Sequence, residues 1–414
     1  MRRDRAGGEK RHRVSRRRAL GGIAALGSLA LAGCSSLPRL GGVDPEWRRE
    51  FADASAASPL AVSAAHVLVG AQDKALYGLR RDDGETAFRY ETGGPIEARP
   101  AASGDDGPYH AHSTDGDVYA VDAAGDLRWR EEGLHERGTV ASNGSLLAHL
   151  DRHIDEVRGF DADSGERRFA RDVAGYRLSG LLESTFVFRE AAGGDRTRLV
   201  AVATEDGSVR WRTEASEWYP GLTADERLVV SDGESTVRAY DPQGGAARWE
   251  STVDAESYRD PTLGPQVYLQ NQRSESADEL VALDRRDGSV AWRNTAGYDL
   301  RRVTPTDDAV FVGSRVDDPD GGILGRVDRF DLTGRRQWRT ETAAPDAEDL
   351  LAVGDSVALS GGRQVVVLDR ATGETRWSHE PESYSRLHVS AADGRLYVSY
   401  VDDGAVARFP VSRS

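Results

Sequence analysis

Three regularities along the chain predict an all-β fold, a β-propeller of four-stranded blades. An aromatic residue recurs at Phe88, Trp129, Phe169, Trp211, Trp249, Trp292, Trp338 and Trp377, at intervals of 38 to 46 residues. A glycine stands four residues before each one: Gly84, Gly125, Gly165, Gly207, Gly245, Gly288, Gly334 and Gly373. Short apolar strands, such as residues 227–231 and 395–400, lie upstream of these units with turn signals between them. Self-similarity at this period, with four short strands per repeat, is the signature of propeller blades.

Each part of the repeat has a physical role. An apolar strand ends in Asp, as at Asp161, Asp241, Asp284, Asp331 and Asp369. An Asp side chain bonds its own backbone two residues on and starts a turn. The glycine supplies the positive φ that closes a hairpin at low steric cost. The second strand then runs to the aromatic. A single blade cannot bury both faces of its sheet, so the aromatic is expected to fill the seam to a neighbour.

Closure follows from phase. Trp47 lies 41 residues before Phe88 but has Val43 where the glycine would be. It reads as a lone outer strand that completes the C-terminal blade and leaves no free sheet edge. Strict counting gives eight repeats plus this split one, which is nine.

The pattern Asp-x-x-x-Gly-x-x-x-Trp after an apolar strand resembles the pyrroloquinoline-quinone-type repeat β-propellers, and within them the BamB-like lipoproteins of haloarchaeal type. The resemblance covers residues from about 47 to 410. It implies eight blades, the usual number in that family. It speaks for the fold far more than for any activity, because one fold hosts many functions. Quinone-dependent members typically carry a vicinal cysteine pair, calcium ligands and a catalytic carboxylate. This chain has one cysteine, so that pair is impossible.

The N-terminus reads as an export signal, residues 1–33, followed by a tether, residues 34–46, and the propeller, residues 47–414. A basic start leads to Arg16-Arg17, then to an uncharged stretch from Ala19 to Ala32. That stretch is shorter than the roughly 20 apolar residues of a membrane span. A charged start, a short apolar core and paired arginines point to the twin-arginine export route. Leu31-Ala32-Gly33-Cys34 looks like a lipobox, with Cys34 as the lipidated residue. The expected location is the outer face of the cytoplasmic membrane, held by a lipid anchor.

Charge narrows the partners. Residues 1–33 hold nine Lys and Arg against two Asp and Glu; the remainder carries 45 basic and 67 acidic residues, a net of −22. Lys10 and Lys74 are the only lysines. Acidity with almost no lysine resembles proteins of extreme halophiles, where a Debye length of about 3 Å in molar salt screens self-repulsion. Such a surface argues against nucleic acid, which needs a basic footprint. A monomer is expected.

Candidate functional residues are those that depart from the repeat. Segments leading from one blade's outer strand to the next inner strand carry a recurring arginine, often with tyrosine: Arg99, Arg137, Tyr176 and Arg177, Tyr258 and Arg259, Tyr298 with Arg301 and Arg302, and Tyr384 with Arg386. The equivalent positions at Trp218-Tyr219 and Glu348-Asp349 break the pattern. This arrangement predicts a partial positive ring at the channel mouth. It suits a carboxylate, a quinone acid, a glycan acid or an acidic peptide, since arginine offers planar bidentate recognition. The competing reading pairs each arginine with a nearby acid.

The acidic loop 317–322 and the pair His110 and His112 match no trusted metal or catalytic pattern, and the triplet Asn143-Gly144-Ser145 is a glycosylation acceptor sequence of the short, unspecific kind. No metal, no catalytic residue and no cofactor are expected. The chain is expected to be a binding or scaffolding module for a protein, peptide or glycan. A quinone-dependent (PQQ) oxidoreductase is the alternative.

Overall fold

In a computed structural model, the described residues run from 43 to 412. Excepted are 52–56, 105–106, 174–179, 195, 215–220, 234, 254–260, 272–277, 298 and 319–320. Arg16, Arg17, Cys34, Tyr176, Arg177, Trp218, Tyr219, Tyr258, Arg259 and Tyr298 therefore lie outside the described residues.

Among the described residues every regular element is a strand, and the strands form nine antiparallel sheets. Sheet 1 consists of Ala61–Val62, His66–Ala71, Ala75–Arg80 and Thr86–Glu91, in that order. Sheets 2 to 8 span 101–131, 138–172, 185–212, 221–252, 262–297, 300–342 and 349–379. Sheet 9 takes Leu387–Ala392, Arg395–Tyr400 and Ala405–Pro410, and adds Trp47–Glu50 as its fourth strand. The family's habit suggests eight blades with one irregular unit; among the described residues nine sheets form, one for each repeat and one shared by the two chain ends. Sheet 4 is the irregular unit, with three strands and a single bridge, Leu181 to Phe186, before them.

Burial follows the strand order. The two middle strands of sheet 1 are buried nearly throughout, whereas its last strand alternates and buries Phe88. That strand is therefore outermost, with one face in a seam and one in water. The first strands of most neighbouring sheets touch one another, including those of sheets 9 and 1.

The repeat glycine turns out to have two reasons to be glycine. All eight have φ between +68° and +86°, a region other residues rarely adopt. Each also lies against the aromatic of the preceding sheet. A Cβ at Gly84 would stand 2.4 Å from the Trp47 ring, and at Gly288 2.4 Å from the Trp249 ring. The other six, Gly125, Gly165, Gly207, Gly245, Gly334 and Gly373, meet the preceding aromatic at 2.5 to 2.6 Å. The turn of one sheet is thus the seat for the ring of the one before.

The indole N–H completes the seam. It donates to the carbonyl one residue after the turn's first position: Trp47 to Arg81 at 2.9 Å, Trp129 to Ala162 at 3.0 Å, Trp211 to Pro242 at 2.9 Å and Trp249 to Arg285 at 2.9 Å. Trp292 donates to Leu332 at 3.0 Å and Trp338 to Arg370 at 3.1 Å. The turn aspartates behave as the sequence predicts: Asp161 Oδ1 accepts from the backbone N–H of Asp163 and Ser164, and Asp369 Oδ1 from Ala371 and Thr372.

Sheets 9 and 1 are joined in the same way. Trp47 pairs with Arg408 across sheet 9. Arg81 of the first sheet donates to Asp393 at 2.5 Å and to the Tyr397 hydroxyl at 3.2 Å. The Ser399 and Ser390 hydroxyls donate to the carbonyls of Ser58 and Leu60.

Candidate functional site

The first strands of several sheets line an open cavity of about 570 Å³. Leu60 to Val62 come from sheet 1, Thr304 to Thr306 from sheet 7, Asp349, Leu351 and Ala352 from sheet 8, and Val389 to Ala391 from sheet 9. Arg99 reaches it from the segment between sheets 1 and 2.

The lining is mixed in charge. Arg99 is exposed and has no hydrogen-bond or ion-pair partner among the described residues. Burial works to raise the pKa of Asp349, but the His388 ring at 3.2 Å, the Val389 N–H at 3.0 Å and the Ser360 hydroxyl at 3.0 Å outweigh it. The Asp349 carboxyl is held below its usual range. Glu348 beside it is pushed upward by burial and by its acidic neighbours. The lining hydroxyls are already engaged: Thr304 donates to the Leu350 carbonyl and Ser390 to that of Leu60. Arg99 is therefore the donor that a carboxylate entering this cavity would meet.

The other described members of the expected ring have varied surroundings. Arg301 pairs with Asp299 at 2.6 Å, and its Nε is buried without a partner. Arg302 donates to the Glu348 carbonyl at 2.7 Å. Arg386 pairs with Asp402 at 3.3 Å. Tyr384 is 70% exposed, with the Arg363 guanidinium 5.6 Å from its ring centre. Arg137 is exposed and its side chain, like that of Arg99, has no partner among the described residues. A continuous positive ring is thus not what the described members form. Among the described residues two arginines have no side-chain partner, and two are matched by acids close to them in sequence or across a turn.

The remaining candidates resolve locally. His110 is satisfied on both ring nitrogens, by Ser103 at 3.2 Å and the Ala162 carbonyl at 3.0 Å, and burial lowers its pKa to about 4. Asn143 donates from Nδ2 to the Leu182 and Glu183 carbonyls, which ties it to the next sheet. In the acidic loop, the Gly321 N–H donates to the Asp318 carbonyl in a tight turn. Among the described residues no group of three His, Cys, Asp or Glu side chains could hold a metal ion. One grouping escaped the sequence reading. His112 has His149 of the next sheet as its partner, at 5.0 Å between ring centres. The only sequence signal was parity: His149-x-Asp151 alternates on its strand as His110-x-His112 does on the other.

The class of protein is set by this geometry: a β-propeller whose seams are encoded by its repeat and whose inner strands line an open cavity of mixed character. The chain belongs to the family described as outer membrane protein assembly factor BamB, whose model matches residues 42–186, 154–295 and 321–411. Among solved structures it is similar to BamB from Moraxella catarrhalis, at 16% identity and a TM-score of 0.52, over 89% of this chain and 97% of that one. It is similar to the computationally designed Ika8 protein at 14% identity and a TM-score of 0.57, over 89% of this chain and 100% of that one. It is also similar to the quinohemoprotein alcohol dehydrogenase from Comamonas testosteroni, at 13% identity and a TM-score of 0.52, over 90% of this chain and 77% of that one. No curated protein matches it. Identities this low establish the shared fold alone.

Proposed function

We propose that this chain is an exported propeller, lipidated at Cys34 and held at the outer face of the cytoplasmic membrane, where it binds a protein, peptide or glycan partner that presents a carboxylate. Family membership supports protein binding in general. The observation that carries the finer reading is Arg99, a guanidinium without a partner among the described residues, beside a cavity whose other polar groups are engaged. An arginine in a partly enclosed site binds carboxylate through charge-assisted hydrogen bonds. The arginine pair Arg16-Arg17 and the sequence ending in Cys34 support export and anchoring. The acidic, lysine-poor surface suits work in concentrated salt.

The test is native mass spectrometry at high ionic strength with acidic peptides and uronic-acid oligosaccharides. Saturable binding that is lost in Arg99→Glu supports the reading. Binding that is indifferent to that change removes Arg99 as the site. Partition of wild-type protein, but not Cys34→Ser, into membranes tests the anchor.

A second reading, a quinone-dependent oxidoreductase, is favoured by the likeness to the quinohemoprotein dehydrogenase. The cavity fits that group poorly. A quinone bearing three carboxylates calls for several cations, and the described lining offers Arg99 alone with the Asp349 carboxylate opposing it. A visible absorption band in the purified protein would favour the oxidoreductase.

A further inference from the structure

The seam between sheets 2 and 3 contains a polar anomaly. His112, at the end of Tyr109–His112, and His149, in Leu146–Asp151, are 3% and 0% exposed. Their rings lie 5.0 Å apart, and among the described residues none of their four nitrogens has a hydrogen-bond partner. Buried polar groups are almost always satisfied, so four orphans in one contact call for an explanation. Most other seams are filled by an aromatic and an aliphatic cluster. This one is filled by two imidazoles in addition.

The surroundings are charged on every side. Asp115, Asp117 and Asp151 act on His112, and the Glu136 backbone lies near it without hydrogen-bond geometry. Asp151, Arg158 and His112 itself act on His149. Asp151 is fully buried and accepts from His135 Nδ1 at 2.8 Å, while His153 stacks on His135 at 4.5 Å. Four of the nine histidines thus meet at one junction.

The two buried rings bear directly on a connecting segment. A Cβ on Gly138 would stand 2.4 Å from His149 Nε2 and 2.7 Å from His112 Cε1, so the backbone there rests on both imidazoles. Residues 132–138 are further fastened by Gly133 N–H to Asp117, Leu134 N–H to the Gly116 carbonyl, and the Arg152 N–H to the Arg137 carbonyl. This same segment carries Arg137.

We propose that His112 and His149 form an acid-sensitive latch, which holds segment 132–138 on the seam while both rings are neutral and releases it when they take up protons. Two cations 5 Å apart in a buried seam repel each other and lose hydration, and the nearby carboxylates, none hydrogen-bonded to either ring, offset only part of that cost. Opening the segment lets water reach both rings. Burial lowers the pKa of both, His149 to about 3, with the His112 ring adding to the effect. The sign follows: with folded pKa values depressed below the ordinary 6.5, the latch is fully closed above pH 6.5 and weakens as pH falls below it. The inference rests on the fold and is independent of any ligand at Arg99.

Hydrogen–deuterium exchange of the full chain, corrected for intrinsic pH dependence, tests it between pH 7.5 and 4.5. Exchange in residues 132–142 is expected to rise at least tenfold relative to the histidine-free hairpin 278–297. A His112→Gln, His149→Gln double variant is expected to abolish that rise. No rise in the wild type, or an equal rise in the double variant, overturns the latch. Should the double variant not fold, ring signals of wild-type histidine decide. Both rings staying neutral until the segment opens supports the proposal; titration near pH 6.5 with the segment still protected overturns it.

Discussion

The seam between sheets 5 and 6 and the seam between sheets 8 and 9 start from the same residue type and end differently. In the first, Trp249 lies on Gly288 and donates to the Arg285 carbonyl at 2.9 Å. In the second, Trp377 is fully buried, yet its indole N–H has no partner, and its ring stacks on Phe409 at 5.5 Å. The indole partner in a regular seam is the hairpin turn of the following sheet. Sheet 9 has no such hairpin, because its outer strand arrives from the other end of the chain. Phe409 fills the volume but cannot accept a hydrogen bond. The lesson is that the aromatic and the glycine of one repeat do not serve each other: each serves the adjacent repeat, and joining the chain ends forfeits one polar contact.

The largest expected effect comes from turning another seam into an incomplete one. Trp47→Ala removes the ring and the donor that join sheet 9 to sheet 1, and burying large aromatics typically contributes about 3–5 kcal/mol. An unfolding free energy from urea denaturation lowered by that amount is expected, read as a lowered midpoint at unchanged slope; an unchanged midpoint would mean that Trp47 is dispensable for closure. Next in size is Gly288→Ala against Gly394→Ala. Both glycines have positive φ, +72° and +66°, but a Cβ meets the Trp249 ring at the first and open space at the second. The first is expected to lose about 3 kcal/mol, from backbone strain plus overpacking. The second is expected to lose about 1 kcal/mol, from strain alone. Equal losses would show that the φ requirement alone selects the glycine.

A smaller contrast separates Trp249→Phe from Trp377→Phe. Both lose similar volume, but the first also strands the Arg285 carbonyl, which is expected to cost about 1 kcal/mol more. Denaturation of the two variants side by side measures the difference. The smallest effect concerns the regular turns in acid. The Arg376 guanidinium and the Thr372 N–H hold the Asp369 carboxyl down to about 2, and Arg286 does the same for Asp284. Depressed carboxylates contribute stability that is present above their ordinary pKa near 3.9 and lost as pH falls toward 2. Asp369→Asn is therefore expected to flatten the fall in melting temperature between pH 4 and 2, and an unaltered slope would place the acid sensitivity elsewhere.

The repeat chemistry is legible in the sequence. Eight glycines at fixed offset from eight aromatics dictate eight hairpins, and the phase of Trp47 dictates where the stray strand pairs, because side-chain period and turn geometry act over a few residues. The nine sheets of the described residues follow the eight repeats and the one split between the chain ends. What the sequence by itself could not determine was which charges cancel. Arg99 and Arg386 occupy equivalent places in the repeat, yet Asp402 neutralises one and the described residues leave the other unpaired beside a cavity. Nor could it pair His112 with His149, 37 residues apart on different sheets. Those outcomes depend on distances between side chains brought together by packing, and an ångström of separation decides between an ion pair, an orphan and an open site.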